Sequence, residues 1–404
     1  MIPYGKHFIE QDDIDAVVDV LKNGWLTQGP KIDEFEAKLA EMVGAKYAVA
    51  VSNATAGLHL ACMATGLSKG DKALVSPNTF VSTPNAVLYC GARPVFVDMD
   101  PTTLNMCPEE LGKELLRTSG VKVVLPVHFG GLPCDMESIA SMVNPAGVKV
   151  IEDAAHALGA SYQCGAKVGS CKYSDFTVFS LHPVKGVTTG EGGVITTNDY
   201  MSYKKLLQLR SHGICKGNFV HPGISVPDSE PLFCPENAFD SEGNLNPWYY
   251  EMQQLGFNYR MTDFQAALGV SQLKKLNRFV MRRQELALRY DEALRDIPFI
   301  EPAQPQYRTD SSIHIYIARI SFDKLAIGRG EFMRRLKDMG IGSQVHYIPV
   351  HWQPYYSTLG YRQSACPNTN SYYEQTLTLP LYYGLTDEEF NSVIASLRNL
   401  MAIA

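Results

Sequence analysis

The chain has 404 residues, 45% of them apolar, enough for one large domain and a smaller one beside it. A formal charge of −6 excludes the strongly basic surface of a nucleic-acid binder and the acidic tail of a disordered protein. It leaves room for an anionic ligand held by a few local groups.

The N-terminus, Met-Ile-Pro-Tyr-Gly-Lys-His, has no charged region followed by an apolar one, so no signal peptide is expected. No apolar run reaches the roughly 18 residues of a membrane span. Nine cysteines, odd in number and without a C-x-x-C pair, argue against a disulfide framework or a zinc ribbon. No metal site is expected, and the expected compartment is the cytoplasm.

Ile14, Val17, Val18 and Leu21 fall at i, i+3, i+4 and i+7, which predicts an amphipathic helix over 10–23. The loop Gly24-Trp-Leu-Thr-Gln-Gly-Pro30 follows, then a second helix carrying Ile32, Phe35, Leu39 and Met42. Short apolar runs come next at Tyr47–Val51, Lys72–Ser76, Pro94–Asp98, Lys122–Val127, Val148–Asp153, Phe176–Ser180 and Gly193–Thr196. Most are separated by helix-length stretches, the rhythm of an α/β domain whose mostly parallel sheet gathers ligands at the carboxyl ends of its strands. The last runs lie close together, so some antiparallel pairing is expected there.

A stretch at about 216–247, rich in Pro, Asn, Gly and Ser, reads as a long irregular loop. Residues 262–295 read as one long helix, with Thr262 as N-cap and Gln265 at capping-box spacing. Beyond it a strand at Ile313–Ile320, a helix around 329–338 and a last helix from about Thr386 form a small C-terminal domain. The expected division is 1–270 for the large domain and 271–404 for the linking helix and small domain.

Five segments carry chemistry. In Ser180-Leu-His-Pro-Val-Lys185-Gly-Val-Thr-Thr-Gly-Glu-Gly-Gly193, a lysine stands in a turn just past an apolar strand, placed to point into a crevice. A Schiff base needs a neutral amine, which burial or a nearby cation favours. In Val148-Lys-Val-Ile-Glu-Asp153-Ala-Ala-His156, Glu152 and Asp153 alternate faces, so one of them can face the ligand. Asp153 also suits a helix N-cap. Ser52-Asn-Ala54-Thr55-Ala-Gly57 is a strand-to-helix turn of small residues whose N–H groups suit a phosphate, or a plain tight turn. Asn78-Thr-Phe80 offers an aromatic that stacks on a planar ring or fills the core. Gly256-Phe-Asn258-Tyr-Arg260 binds a phosphate or shapes a turn.

In their order along nearly the whole chain, these segments resemble the sugar aminotransferases of the DegT/DnrJ/EryC1/StrS type, which share the aspartate-aminotransferase fold. The Ser180–Gly193 string and Gln344-Val-His-Tyr347 look like the branch that makes UDP-4-amino-4,6-dideoxy-N-acetyl-β-L-altrosamine in pseudaminic acid biosynthesis.

The resemblance implies a pyridoxal 5′-phosphate enzyme of fold type I, working as a homodimer with shared active sites. Lys185 would be joined to the cofactor and shuttle the proton. Asp153 would pair with the pyridine nitrogen, His156 lie near the phenolic oxygen and Phe80 stack on the ring. Ala54, Thr55 and Ser180 would hold the phosphate, and Asn258 would reach that of the neighbouring subunit. Tyr4, Trp25, Leu26, Thr27, His346 and Tyr347 would line the groove for a UDP-linked keto sugar, with L-glutamate as amino donor. Other nucleotide-linked keto sugars and a non-catalytic relative are the competing readings, and the latter should lack Lys185 or Asp153. A related branch replaces the lysine with histidine, whereas here His182 precedes a retained Lys185. The stretch from about Lys216 to Leu245 is longer than the family usually carries.

Overall fold

The computed structural model describes residues 1–216 and 240–403. Two helices, α1 (Gln11–Asn23) and α2 (Pro30–Val43), precede a seven-stranded sheet. Its strands are β1 (Tyr47–Val51), β2 (Lys72–Val75), β3 (Arg93–Phe96), β4 (Val121–Leu125), β5 (Lys149–Asp153), β6 (Phe176–Ser180) and β7 (Gly193–Thr197). Between them come α3 (Ala54–Ala64), α4 (Ser82–Tyr89), α5 (Pro108–Arg117) and α6 (Met136–Val143). The order is β1-β7-β6-β5-β4-β2-β3, and β7 alone runs against its neighbours. The sheet is therefore mixed but mostly parallel, as the crowding of the last apolar runs predicts.

Period-2 alternation splits the core. Ala48, Ala50, Leu74, Val124 and Val150 face one side with α2 and α6, while Val49, Val51, Ala73, Val75, Val123 and Ile151 face the other with α3. Both faces are covered, so these strands read as apolar runs.

After β7 come α7 (Tyr200–Arg210) and the short pair β8 (Ile214–Cys215) and β9 (Glu251–Met252). The irregular loop expected at 216–247 lies largely outside the described residues; its described end, 240–247, is turn and coil.

The expected 262–295 helix is two helices, α8 (Asp263–Leu273) and α9 (Leu276–Ala293). At the interruption Lys275 turns its buried ammonium onto Asp12 (2.6 Å) and Asp13 (2.7 Å) of α1. That partner is remote in sequence and invisible to a local pattern. The start of α8 is as read, because the Gln265 side-chain oxygen accepts from the Thr262 N–H at 3.0 Å.

Beyond α9 a three-stranded antiparallel sheet, β10 (Ile300–Pro302), β11 (Tyr316–Ile320) and β12 (Thr376–Leu379), packs with α10 (Arg329–Asp338) and α13 (Asp387–Ile403) around its own apolar cluster. Two helices precede β12, α11 (Pro354–Thr358) and α12 (Pro367–Gln375). β11 begins three residues later than the run Ile313–Ile320 suggests, because Ile313 takes φ 48° and His314 donates its N–H to Gly130 instead of joining the ladder. The N-terminal segment runs back to this region: Ile2 bonds Gly340 and Gly342, and Leu381 donates to the Tyr4 carbonyl. Among the described residues no helix is long and apolar enough to cross a membrane.

Candidate active site

Lys185 stands in the turn between β6 and β7, close to Asp153 at the carboxyl end of β5. Its N–H closes that turn on the His182 carbonyl at 2.9 Å. Lys185 Nζ lies 3.3 Å from His314 Nε2. Burial pushes the Lys185 ammonium down to about 8; the Asp153 carboxylate opposes this and the Arg283 guanidinium adds to it.

The strand-end acids divide as alternation demands. Asp153 faces the site, its carboxylate accepting from Thr83 Oγ1 at 2.6 Å and from the Ala155 N–H at 3.1 Å. Glu152 faces away and is fully buried, accepting from His128 Nε2 (2.6 Å), Tyr162 Oη (2.5 Å), Thr177 Oγ1 (3.1 Å) and Ser174 Oγ. Because His128 Nδ1 accepts the Cys134 N–H at 3.0 Å, its proton sits on Nε2 and the ring is neutral. Burial presses Glu152 upward, but these donors together hold it below the ordinary glutamate value.

Four more rings close the site. His156 is buried, takes the Gly130 N–H on Nδ1 at 3.3 Å and meets Tyr347 Oη through Nε2 at 3.2 Å. Its ring centre is 4.3 Å from that of His314. Burial, then Lys185 and His346, hold His156 well below the ordinary imidazole value. His346 is pushed down to about 3 by burial and then Lys185, and its Nδ1 lies 2.8 Å from Thr378 Oγ1. Phe80, largely exposed, has its ring centre 6.1 Å from that of Tyr347.

Ala54 and Thr55 open α3, where helix geometry leaves N–H groups without intrahelical acceptors. Asn53 caps the helix by accepting the Ala56 N–H at 2.9 Å. A Cβ on Gly193 would lie 2.7 Å from the Ala54 nitrogen, so only glycine lets β7 pass this close. Ser180 ends β6, its Oγ accepting the His182 N–H at 3.4 Å.

The structure thus gathers Lys185, Asp153, His156, His346 and Tyr347. Tyr4 joins them at the edge, 5.6 Å ring to ring from His346. Tyr347 lies against His156. Within the chain Trp25, Leu26 and Thr27 stand apart. They are exposed, and their loop is tied to α8 by the Leu26 carbonyl, which accepts the Asp263 N–H at 3.2 Å. Asn258 is also exposed, on a segment whose Tyr259 carbonyl accepts the Ser52 N–H at 2.8 Å.

Three contributors escaped the sequence reading. Thr83 holds Asp153. His314 reaches Lys185 from the segment just before β11. Arg283, buried in α9, donates to the His314 carbonyl at 2.8 Å. One signal was available: Arg283 sits on the apolar stripe Phe279, Arg283, Leu286, Ala287, Tyr290, where a charge is out of place.

The model of the DegT/DnrJ/EryC1/StrS aminotransferase family matches residues 7–398. The chain is 39% identical to the spore coat polysaccharide biosynthesis protein SpsC of Bacillus subtilis, over 99% of this chain and 97% of that one. Among solved structures, Helicobacter pylori PseC, an aminotransferase involved in the biosynthesis of pseudaminic acid, superposes with a TM-score of 0.85 at 28% identity, covering 99% of each chain. The pyridoxal-phosphate form of the sugar aminotransferase Spr1654 from Streptococcus pneumoniae superposes at 0.84 and 28%, over 99% of this chain and 98% of that one.

Proposed function

The chain belongs to the DegT/DnrJ/EryC1/StrS aminotransferase family, whose cofactor is pyridoxal 5′-phosphate, and from that premise we propose that it moves an amino group from L-glutamate to C4 of a UDP-linked 4-keto-6-deoxy-N-acetylhexosamine. The observation that carries the reading is Lys185, an amine brought to about 8 by burial and set among Asp153, His156 and His314. The likeness to PseC supports the sugar.

The residues present fit the cofactor. A lysine near neutrality suits covalent attachment, and the Asp153 carboxylate can pair with a protonated ring nitrogen. Asn78 is buried with both amide atoms unpartnered among the described residues, a polar group awaiting a ligand. The first N–H groups of α3, at Ala54 and Thr55, together with Ser180, suit the phosphate. Phe80 and His156 border the ring position, and the exposed Asn258 is free to serve a neighbouring protomer's phosphate in a homodimer. Residues 1–270 then form the cofactor-binding part and 271–404 the small part that carries His346 and Tyr347.

When bound, the cofactor supplies an electron sink. The chain's residues supply position and proton transfer. Lys185, as the free amine, takes the proton from the donor's Cα and returns it across the site; in the second half-reaction it delivers a proton to sugar C4. Asp153, fixed by Thr83, keeps a negative charge at the strand end. His346 and Tyr347, with Tyr4 at the rim and Trp25, Leu26 and Thr27 from the exposed loop, are assigned to the nucleotide sugar.

The test is an absorbance spectrum of the purified protein, followed by L-glutamate and then the keto sugar. Glutamate should bleach the visible band and the sugar restore it. No band at all overturns the reading. A second reading, another nucleotide-linked keto sugar used for surface polysaccharide, is favoured by the 39% identity to SpsC. It predicts that glutamate bleaches the band and that a different keto sugar restores it.

A further inference from the structure

We infer that His314 is a positioning residue for Lys185, holding its amine on the neutral Nε2 of the imidazole, and that Arg283 braces the pair through the backbone carbonyls of both residues. The inference rests on the reading of Lys185 as the cofactor lysine.

The contact is 3.3 Å from Lys185 Nζ to His314 Nε2. A lysine nitrogen has donors to offer, so Nε2 is the acceptor and the imidazole proton lies on Nδ1. That Nδ1 is buried and has no partner among the described residues. A fold that needed His314 only for packing would not strand a polar nitrogen there.

The delivery of His314 is equally specific. Its N–H is held by the Gly130 carbonyl at 2.9 Å, and a Cβ on Gly131 (φ 99°) would lie 3.0 Å from the His314 nitrogen. A side chain at 131 would crowd Ser312, the His156 carbonyl and the His314 backbone alike.

Arg283 is buried in α9, and its Nη1 donates to the His314 carbonyl at 2.8 Å and, more loosely at 3.5 Å, to that of Ile313. Its Nη2 lies 3.5 Å from the Lys185 carbonyl. One guanidinium thus touches both backbones whose side chains meet.

The charged and titratable groups around Lys185 come from five elements: Asp153 ending β5, His156 after it, Arg283 on α9, His314 before β11 and His346 before β12. Asp153 alone is an acid. Burial, then Lys185, His156, Arg283 and His346, keep His314 well below the ordinary imidazole value, so it stays an acceptor across the neutral range. Arg283 presses Lys185 toward the amine from behind. His314 therefore governs where the amine points, and Arg283 adds to the burial that keeps it uncharged.

The two roles separate in one experiment. The full-length chain, freed of cofactor with hydroxylamine, is given pyridoxal phosphate at a series of pH values. Each sample is quenched with borohydride, and modification of the Lys185 peptide is followed by mass spectrometry. Wild type should be captured with a midpoint near pH 8. H314N draws the acceptor back while keeping a polar group, and should lower the plateau rate about tenfold, the low end for a lost hydrogen bond to a charged or ionisable group, with the midpoint kept. H314Q restores the reach and should recover to within about threefold, a difference of roughly half that energy. R283Q should raise the midpoint by about one pH unit with the plateau kept, since a neighbouring like charge is removed, and R283K should not.

An H314N plateau equal to wild type, an H314Q plateau as low as that of H314N, or an unmoved R283Q midpoint overturns the inference. Failure of wild-type Lys185 to be captured at any pH overturns the functional reading beneath it.

Discussion

Two buried polar clusters lie back to back across the end of β5, one around Glu152 and one around Lys185. The Glu152 cluster is closed: the carboxylate has four donors, and His128 is held at both ring nitrogens. The Lys185 cluster is open. His314 Nδ1 lacks a partner among the described residues, and three histidines crowd one amine. Adjacent residues of one strand thus serve opposite ends. A satisfied network stabilises and specifies the fold, and an unsatisfied one is held in place by the rest of the protein for a ligand.

The comparison breaks most visibly in activity. Lys185→Ala should abolish transamination, by about 10⁴-fold or more, the upper range for a positioned proton-transfer group. It should also remove the visible band of the loaded protein. Glu152→Gln should leave turnover per folded molecule within about threefold, because the change stays behind the strand. Rates normalised to folded protein decide it; equal losses in both variants would mean that the clusters are one.

In stability the order reverses. Glu152→Ala leaves His128, Tyr162, Thr177 and Ser174 without their shared acceptor, and should cost about 3–5 kcal/mol, as several buried donors lose their partner at once. The check is the urea midpoint at constant slope.

Lys185→Met should do the opposite in cofactor-free protein. The unfolded chain keeps the ordinary lysine value of 10.5, whereas burial brings the folded value to about 8. Below pH 8 both states hold the proton and the folded state carries the whole penalty, up to about 3 kcal/mol. Between pH 8 and 10.5 the unfolded chain holds more protons, so stability rises with pH across that window. Lys185→Met should remove this slope and be the more stable protein at pH 7, a trade of function against stability. A destabilised Met variant, or a wild-type slope of the other sign, would refute the strained-amine account.

How much of this was legible depends on how local the cause is. The seven apolar runs become β1–β7 because a strand buried on both faces announces itself in four or five residues. Lys185 drew notice because it stands in the turn just past such a run, and the acidic pair Glu152 and Asp153 because it ends another. The break between α8 and α9 was not legible, since Lys275 answers to acids on α1. Nor was the choice between Glu152 and Asp153, which needed the donors on either side. His314 looked like the second residue of a strand; only its approach to Gly130 and Gly131 makes it a site residue. Arg283 alone left a trace, a charge on an apolar stripe.

The smallest expected effect is the sharpest test of the two-sided picture, because it uses the same deletion on each side. Thr83 Oγ1 is one of the two donors to Asp153, at 2.6 Å, and also lies 2.8 Å from Thr79 Oγ1. Thr177 Oγ1 is one of four donors to Glu152, at 3.1 Å. Replacing either threonine with valine removes one hydroxyl and keeps the shape. Thr177→Val should cost about 1 kcal/mol or less, since Glu152 keeps His128, Tyr162 and Ser174, and activity should be unchanged. Thr83→Val should cost about 1–2 kcal/mol and lower the rate about tenfold, because Asp153 keeps only the Ala155 N–H and its carboxylate is free to turn. Thr83→Ser should restore the rate. The measurement is paired urea melts and turnover on the four proteins. Equal effects of the two valines on rate would show that Asp153 is held by the strand and not by Thr83.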